Sequence, residues 1–159
     1  LADAYPGRIS ATAGPLADGR AWLSMEQARR DKTSPLGNAG FLTGCNGPMK
    51  TLAVRADGIY VPCLQLSHMA LGHIDRDELL WVWQEHPDLN RLRERSSIPL
   101  TSFGFCRECP YIPYCTGNCP ATAFTFTGEV NHPSPDACLR RFLERGGRLP
   151  GRLFLDPEG

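Results

Sequence analysis

Apolar residues in this chain fall into short runs set apart by Gly, Pro and charged positions, so the pattern predicts small elements and no long ones. Residues 19–32 place Trp22, Leu23, Met25 and Ala28 broadly on one side of a helix. Residues 1 to about 18, with Pro6, Gly7, Gly14 and Pro15, read as an irregular lead-in, and Ser34-Pro35-Leu36-Gly37-Asn38 breaks the chain after the helix. Residues 51–56 and 59–61 flank Asp57-Gly58, the pattern of a hairpin closed by a two-residue turn with both positions at positive φ. Pro62 ends the second strand. Cys45 precedes the first strand and Cys63 follows the second, so the open end of the hairpin can bring these two thiols together.

Asp75-Arg76-Asp77-Glu78 has the form of an acidic capping box and opens a helix that runs from Glu78 to about residue 84. Leu79, Leu80, Trp81, Val82 and Trp83 are expected to supply core, since large apolar residues usually do. Pro87 opens a second helix carrying Leu89 and Leu92, stopped by Ser96-Ser97 and Pro99. Ser134-Pro135-Asp136 gives an N-cap and first-turn signature for a helix carrying Cys138 and Leu139, closed by Gly146-Gly147. There are no internal repeats and no heptads. The longest apolar run, residues 79–83, is too short to span a bilayer.

With 159 residues the chain has the length of about one domain. Seventeen Lys and Arg balance seventeen Asp and Glu, which removes the basic excess that nucleic-acid binding draws on. A hydrophobic share of 42% suits a globular domain, and sixteen Gly with fourteen Pro place much of the path in turns. The opening residues show neither the basic region nor the apolar core of a signal peptide. Together with an odd number of thiols, seven, this argues against a disulfide framework and for a cytoplasmic protein.

Those seven cysteines carry the chemistry. They read Cys45, twelve residues, Gly58, four residues, Cys63, a long gap, Cys106-x2-Cys109-x5-Cys115-x3-Cys119, and Cys138. The close spacings let one bent loop aim several thiolates at an inorganic centre, and Gly117 with three prolines favours such a bend. Four thiolates hold either zinc or a [4Fe–4S] cluster, and spacing alone does not choose. For zinc, Cys106-x2-Cys109 is half of a ribbon, with His68 or His132 able to complete a second site. Against it, only one Cys-x2-Cys knuckle is present.

The order of all seven closely resembles the SPASM domain, the C-terminal extension of many radical SAM enzymes. The resemblance covers about residues 40–145. It includes the Ala-Asp-Gly hairpin running into Pro62-Cys63 and the Leu71-Gly72-His73-Ile74 step before a Trp-bearing helix. It implies two auxiliary [4Fe–4S] clusters with interleaved ligands: Cys45, Cys63 and Cys119 for the first, and Cys106, Cys109, Cys115 and Cys138 for the second. Seven thiolates for eight irons would leave one iron of the first cluster without a cysteine. Asp57 is a possible oxygen ligand there, but its turn points it away. The implied fold is α+β, a small hairpin plus short helices and a cysteine-rich loop organised around the clusters. Residues 1–39 would be a lead-in from the barrel side of a parent enzyme, 40–146 the two-cluster domain and 147–159 a loose tail.

The family's Cys-x3-Cys-x2-Cys loop, which holds the SAM-bound cluster on a (β/α) barrel, is absent from this sequence. The chain is therefore expected to be the C-terminal part of a longer enzyme and not catalytic alone. Its expected partners are that barrel, in the same or a separate chain, and a peptide or protein substrate, with no nucleic acid and no membrane. The implied role is electron transfer or substrate positioning in peptide maturation by an oxidoreductase. A zinc-stapled interaction module and a free-standing iron–sulfur electron carrier are the alternatives. Tyr111 and Tyr114 read as packing over the loop, and Arg107, Arg140 and Arg141 as surface charge. His68, His73, His86 and His132 are scattered and are assigned no catalysis.

Overall fold

The computed structural model describes residues 15–33 and 37–149. In chain order the elements are α1 (Pro15–Asp31), α2 (Gly47–Lys50), β1 (Ala53–Val54), β2 (Ile59–Val61), β3 (Gly72–His73), α3 (Leu79–Glu85), α4 (Pro87–Glu94), α5 (Pro120–Thr127) and α6 (Leu139–Glu144). Short 3-10 turns fill the path from Arg95 to Tyr114. The small sheet with several helices is an α+β arrangement. No helix among the described residues is long and apolar enough to cross a membrane.

The three strands lie in the order β1-β2-β3, all antiparallel, with Ala53 opposite Val61 and Tyr60 opposite Gly72. The hairpin forms where expected, but its turn differs. Arg55 already donates its N–H to the Ile59 carbonyl, and Gly58 N–H closes back on Arg55, so the loop is Ala56-Asp57-Gly58. Of these, only Gly58 takes a positive φ, +82°. A three-residue turn with one left-handed glycine satisfies the register that a two-residue turn would shift. A Cβ at Gly58 would also stand 2.7 Å from His73 Nε2, because β3 packs beside the turn.

Buried side chains gather in three groups. Tyr60, Leu71, Val82 and Leu89 join the sheet to α3 and α4. Leu66, Leu92, Ala121 and Val130 form the second group, and Leu42, Leu100 and Cys106 the third. Helix α4 serves two of them, since Leu89 and Leu92 stand three residues apart on adjoining parts of one face.

Several expectations are corrected here. The run 79–83 does not enter the core as a block: Leu79, Leu80 and Trp81 are 53%, 56% and 48% exposed, Trp83 is partly buried, and Val82 is fully buried. A short helix laid on a narrow sheet presents about one residue per turn to it, so five consecutive apolar residues cannot all face inward. The acidic capping box does not form. Glu78 occupies the N-cap of α3 without a side-chain bond, and the preceding Asp77 carboxylate turns back to accept the His73 N–H at 2.7 Å. Ser134 does not cap the last helix, which starts at Leu139 with Cys138 as its N-cap. Helix α5 was not expected, although Pro120 at its start and Gly128 (φ +75°) at its end are ordinary boundary residues. Finally, α1 begins at Pro15, earlier than residue 19. The expected lead-in over residues 1–14, the break at Ser34-Pro35-Leu36 and the tail from residue 150 lie outside the described residues.

Candidate metal centre

Segment 40–44 is the spine of the site. On one side the Leu42 N–H reaches the Ile98 carbonyl and the Leu100 N–H reaches Gly40. On the other, the Gly40 N–H bonds the Cys115 carbonyl at 2.8 Å, and Thr43 and Gly44 N–H both bond the Thr116 carbonyl at 2.9 Å. The stretch leading to Cys45 therefore runs along the Cys115–Cys119 loop. Contact is close enough that a Cβ on Gly44 would fall 2.7 Å from the backbone of Asn118.

Between Cys115 and Cys119 the backbone turns through two consecutive left-handed residues, Gly117 (φ +71°) and Asn118 (φ +61°). At Gly117 a Cβ would approach Leu42 Cδ2 to 2.4 Å, so only glycine fits. This reversal sends the two cysteines to different places. Cys115 stays with Cys106, Cys109 and Cys138, and all four line one largely enclosed cavity with Met25, Leu100, Tyr111 and Ser134. Cys119 goes to the N-cap of α5 and packs with Cys63 against Leu66, Leu92, Ala121 and Val130.

Cys45 reaches this second gathering from the other side. It lines a cavity with Leu92 and Arg95, and Leu92 belongs to the buried group that Cys63 and Cys119 touch. The Cys119 thiol also lies 3.6 Å from Gln65 Oε1. Two thiols receive backbone N–H groups two residues on, Cys45 from Gly47 at 3.3 Å and Cys115 from Gly117 at 3.4 Å. At Cys115 the Gly117 N–H favours the thiolate, and donors to sulfur tune whatever it binds.

The four-thiol cavity is electrostatically demanding when its cysteines carry no metal. Burial, reinforced by Cys115, Cys138 and Cys109, pushes the Cys106 thiol up to about 12. Burial also raises Cys115, opposed by the Gly117 N–H. A cationic centre relieves this repulsion and displaces the protons. All seven thiols are free.

Helix α1 closes the cavity. Met25 lines it, Trp22 Nε1 donates to the Ala137 carbonyl at 3.0 Å, and the Trp22 and Phe142 rings sit 4.6 Å apart. The Tyr111 hydroxyl donates to Glu26 at 2.9 Å, and Glu26 is further held by Arg29 and Arg30. Tyr111 is thus both packed over the loop and bonded to α1. Tyr114 is half-buried, and Arg107 is exposed. Arg140 pairs with Glu144 while touching the Phe105 and Arg107 carbonyls, and Arg141 lies over the Phe105 ring.

The histidines have local work. His68 stacks on Phe124, His73 bonds the Asp57 carbonyl, His86 caps α4 and His132 packs between Phe103 and Phe105. Asp57 is exposed on the hairpin turn, where its carboxylate pairs with Arg55 at 2.6 Å.

The donors fit a cluster. No three His, Cys, Asp or Glu among the described residues gather as ligands of a single ion. Four thiols lining one cavity match the one thiolate per iron that a four-iron cluster takes. An orphaned polar atom adds to the fit: Ser134 Oγ, on a residue 1% exposed, lines the four-thiol cavity and has no hydrogen-bond partner. A sulfide would give that hydroxyl an acceptor. Ser134, Met25, Arg95 and Asn118 were missed from the sequence; of these only Asn118, following Gly117 in the loop, carried a local signal.

Residues 45–110 match the model of the SPASM family, an iron-sulfur cluster-binding domain. The match takes in Cys45, Cys63, Cys106 and Cys109 and ends before Cys115, Cys119 and Cys138. No curated protein and no solved structure matches the chain.

Proposed function

We propose that the chain, whose residues 45–110 match the SPASM model of an iron–sulfur cluster-binding domain, is the auxiliary-cluster part of a radical SAM enzyme that modifies a peptide or protein. Two [4Fe–4S] clusters are assigned, one to Cys45, Cys63 and Cys119 and the other to Cys106, Cys109, Cys115 and Cys138. The carrying observation is the enclosed cavity lined by the latter four thiols together with the orphaned Ser134 hydroxyl.

When bound, such clusters accept and pass single electrons. The chain's own residues do the rest. Gly117 and Asn118 divide the loop between two sites, Tyr111 and Met25 exclude water from the four-thiol cavity, and Gly47 and Gly117 donate N–H groups to sulfur. The SAM-cleaving barrel, with its Cys-x3-Cys-x2-Cys loop and third cluster, lies on a further segment of the same protein or on a partner chain. The peptide substrate follows from the breadth of the family.

The test is stoichiometric. Anaerobic reconstitution should load about eight irons and eight sulfides per chain, four for each cluster. A plateau near four would overturn the two-site assignment. Uptake of zinc with no uptake of iron would return the protein to a structural zinc module. Reductive SAM cleavage by this chain alone would overturn the auxiliary role.

A further inference from the structure

Arg95 heads the fully buried side chains, at 2% exposed. Its fork donates to three carbonyls, Nε to Leu42 at 3.2 Å, Nη1 to Val130 at 2.7 Å and Nη2 to Asn118 at 3.2 Å. No carboxylate among the described residues pairs with it, in contrast to Arg140, which meets Glu144. A guanidinium stays charged in proteins, and a cation removed from water without a counter-charge is strongly penalised. Three backbone dipoles orient the charge but do not neutralise it.

The groups that surround Arg95 identify the missing anion. It shares a cavity with Cys45, and it grips the carbonyl of Asn118, the residue before Cys119. Burial lowers its pKa, while Cys45 and Cys119 act in the opposite sense. Around the other four thiols no arginine among the described residues is buried: Arg140 and Arg141 are both partly in solvent.

We propose that Arg95 is the fixed counter-charge of the Cys45, Cys63 and Cys119 site and raises the reduction potential of the cluster bound there. The inference rests on the two-cluster reading above. Reduction adds negative charge to a cluster, and a buried cation favours that more negative state. A unit charge acting across roughly 10 Å at an effective dielectric constant near 20 changes the ratio of reduced to oxidised cluster about tenfold. For a one-electron couple that is about 59 mV.

The experiment is a reductive titration of the reconstituted full chain, followed by paramagnetic resonance, with the signal lost in Cys63→Ala marking the first cluster. Arg95→Met should lower the midpoint of that cluster by about the tenfold equivalent and leave the other unmoved. Arg95→Lys, which keeps the charge and loses the fork, should restore most of it. Ser96→Glu is the companion variant, since Ser96 lines the same cavity at its exposed edge. It leaves the fork intact, puts a carboxylate on the rim of the cavity that Cys45 and Arg95 share, and should lower the same midpoint. If Arg95→Met cannot hold the first cluster, Ser96→Glu decides. An unmoved midpoint in Ser96→Glu, or equal shifts of both clusters in Arg95→Met, would overturn the inference. Failure of the underlying reading is visible earlier, as a wild-type iron content near four.

Discussion

Tyr111→Phe removes one hydroxyl and tests whether α1 is the lid of the four-thiol cavity. That hydroxyl is buried and donates to Glu26 at 2.9 Å across 85 residues of chain. A hydrogen bond to a charged acceptor is worth about 1.5–3 kcal/mol. Glu26 keeps Arg29 at 2.9 Å and Arg30 at 2.7 Å, so the lower end, about 1.5 kcal/mol, applies. The undocked population of α1 should then rise roughly tenfold. Because Met25 and Tyr111 line the cavity, undocking admits solvent to Cys106, Cys109, Cys115 and Cys138. Chelator-driven iron loss from one cluster should accelerate about tenfold while the other is unaffected, and hydrogen exchange in α1 should quicken with it. Unchanged exchange in α1, or equal acceleration at both clusters, would refute the lid.

The same carboxylate gives α1 a pH limit. Hydrogen bonds from Arg29 above all, then Arg30 and Tyr111, hold Glu26 down from 4.5 to about 2 against the opposing effect of burial. Its folded pKa lies below the unfolded one, so the stabilisation is complete above about 4.5 and is lost as pH falls toward 2. The full shift corresponds to about 3 kcal/mol, and screening of the solvent-exposed arginines reduces it to the order of 1–2 kcal/mol. In the cluster-free protein, α1 should loosen progressively through that window, and Glu26→Gln should flatten the dependence.

Four further outcomes are expected. Cys115→Ala should abolish the signal that Cys138→Ala abolishes, and Cys119→Ala the one that Cys45→Ala abolishes; one shared signal for Cys115 and Cys119 would merge the two sites. Ser134→Ala should retain both clusters and lower the potential of the Cys115 cluster alone, since a donor to sulfur is lost; an unmoved potential would leave that hydroxyl without a role. Trp81→Ser should change thermal stability by less than about 0.5 kcal/mol, whereas Val82→Ala, fully buried, should cost about 1–3 kcal/mol, and the reverse order would restore the run 79–83 to the core. With three cysteines for four irons at the first site, added cysteine should perturb the spectrum of that cluster and spare the other; a fourth protein ligand there, for which Gln65 Oε1 at 3.6 Å from the Cys119 thiol is a candidate donor, would block the effect.

The hairpin and α4 were legible because each depends on local sequence, a turn signal and a proline at a helix start; the division of the seven cysteines into two sets came from the family resemblance, since the close run Cys106 to Cys119 by itself keeps Cys119 with Cys115 and leaves Cys138 out. What failed depended on who meets whom. Leu79, Leu80 and Trp81 are apolar by composition, yet the sheet is too narrow to cover them. Asp75 and Glu78 have the spacing of a capping box, but the helix starts at Leu79, so Glu78 stands at the N-cap and not in the first turn. Ser134 looked like a cap because it precedes Pro135-Asp136; instead its N–H bonds the Gly117 carbonyl and its side chain is drawn inside. Arg95 is one of seventeen basic residues, and nothing in its neighbourhood of Glu94 and Ser96 separates it from a surface charge. Its burial is decided by three carbonyls that arrive from 53, 35 and 23 positions away.

In the proposed two-cluster assignment, those distant partners let one short loop serve both sites without either collapsing onto the other. Asn118 is the joint. Its left-handed backbone turns Cys119 away from Cys115, and its carbonyl is fixed by Arg95 on the side of Cys45. Its side-chain amide donates at 2.8 Å to the Ala137 carbonyl, immediately before Cys138, a carbonyl that also receives Trp22 of α1. A single residue thus carries a backbone bond toward one thiol set and a side-chain bond toward the other, while Gly44 packs against its back. Movement of Asn118 changes both sites together, so the spacing between them is set by backbone geometry and not by the bound centres. In that assignment a fixed spacing supports one-electron exchange between the clusters, and the left-handed pair Gly117-Asn118 that sets it disfavours residues that prefer φ below zero.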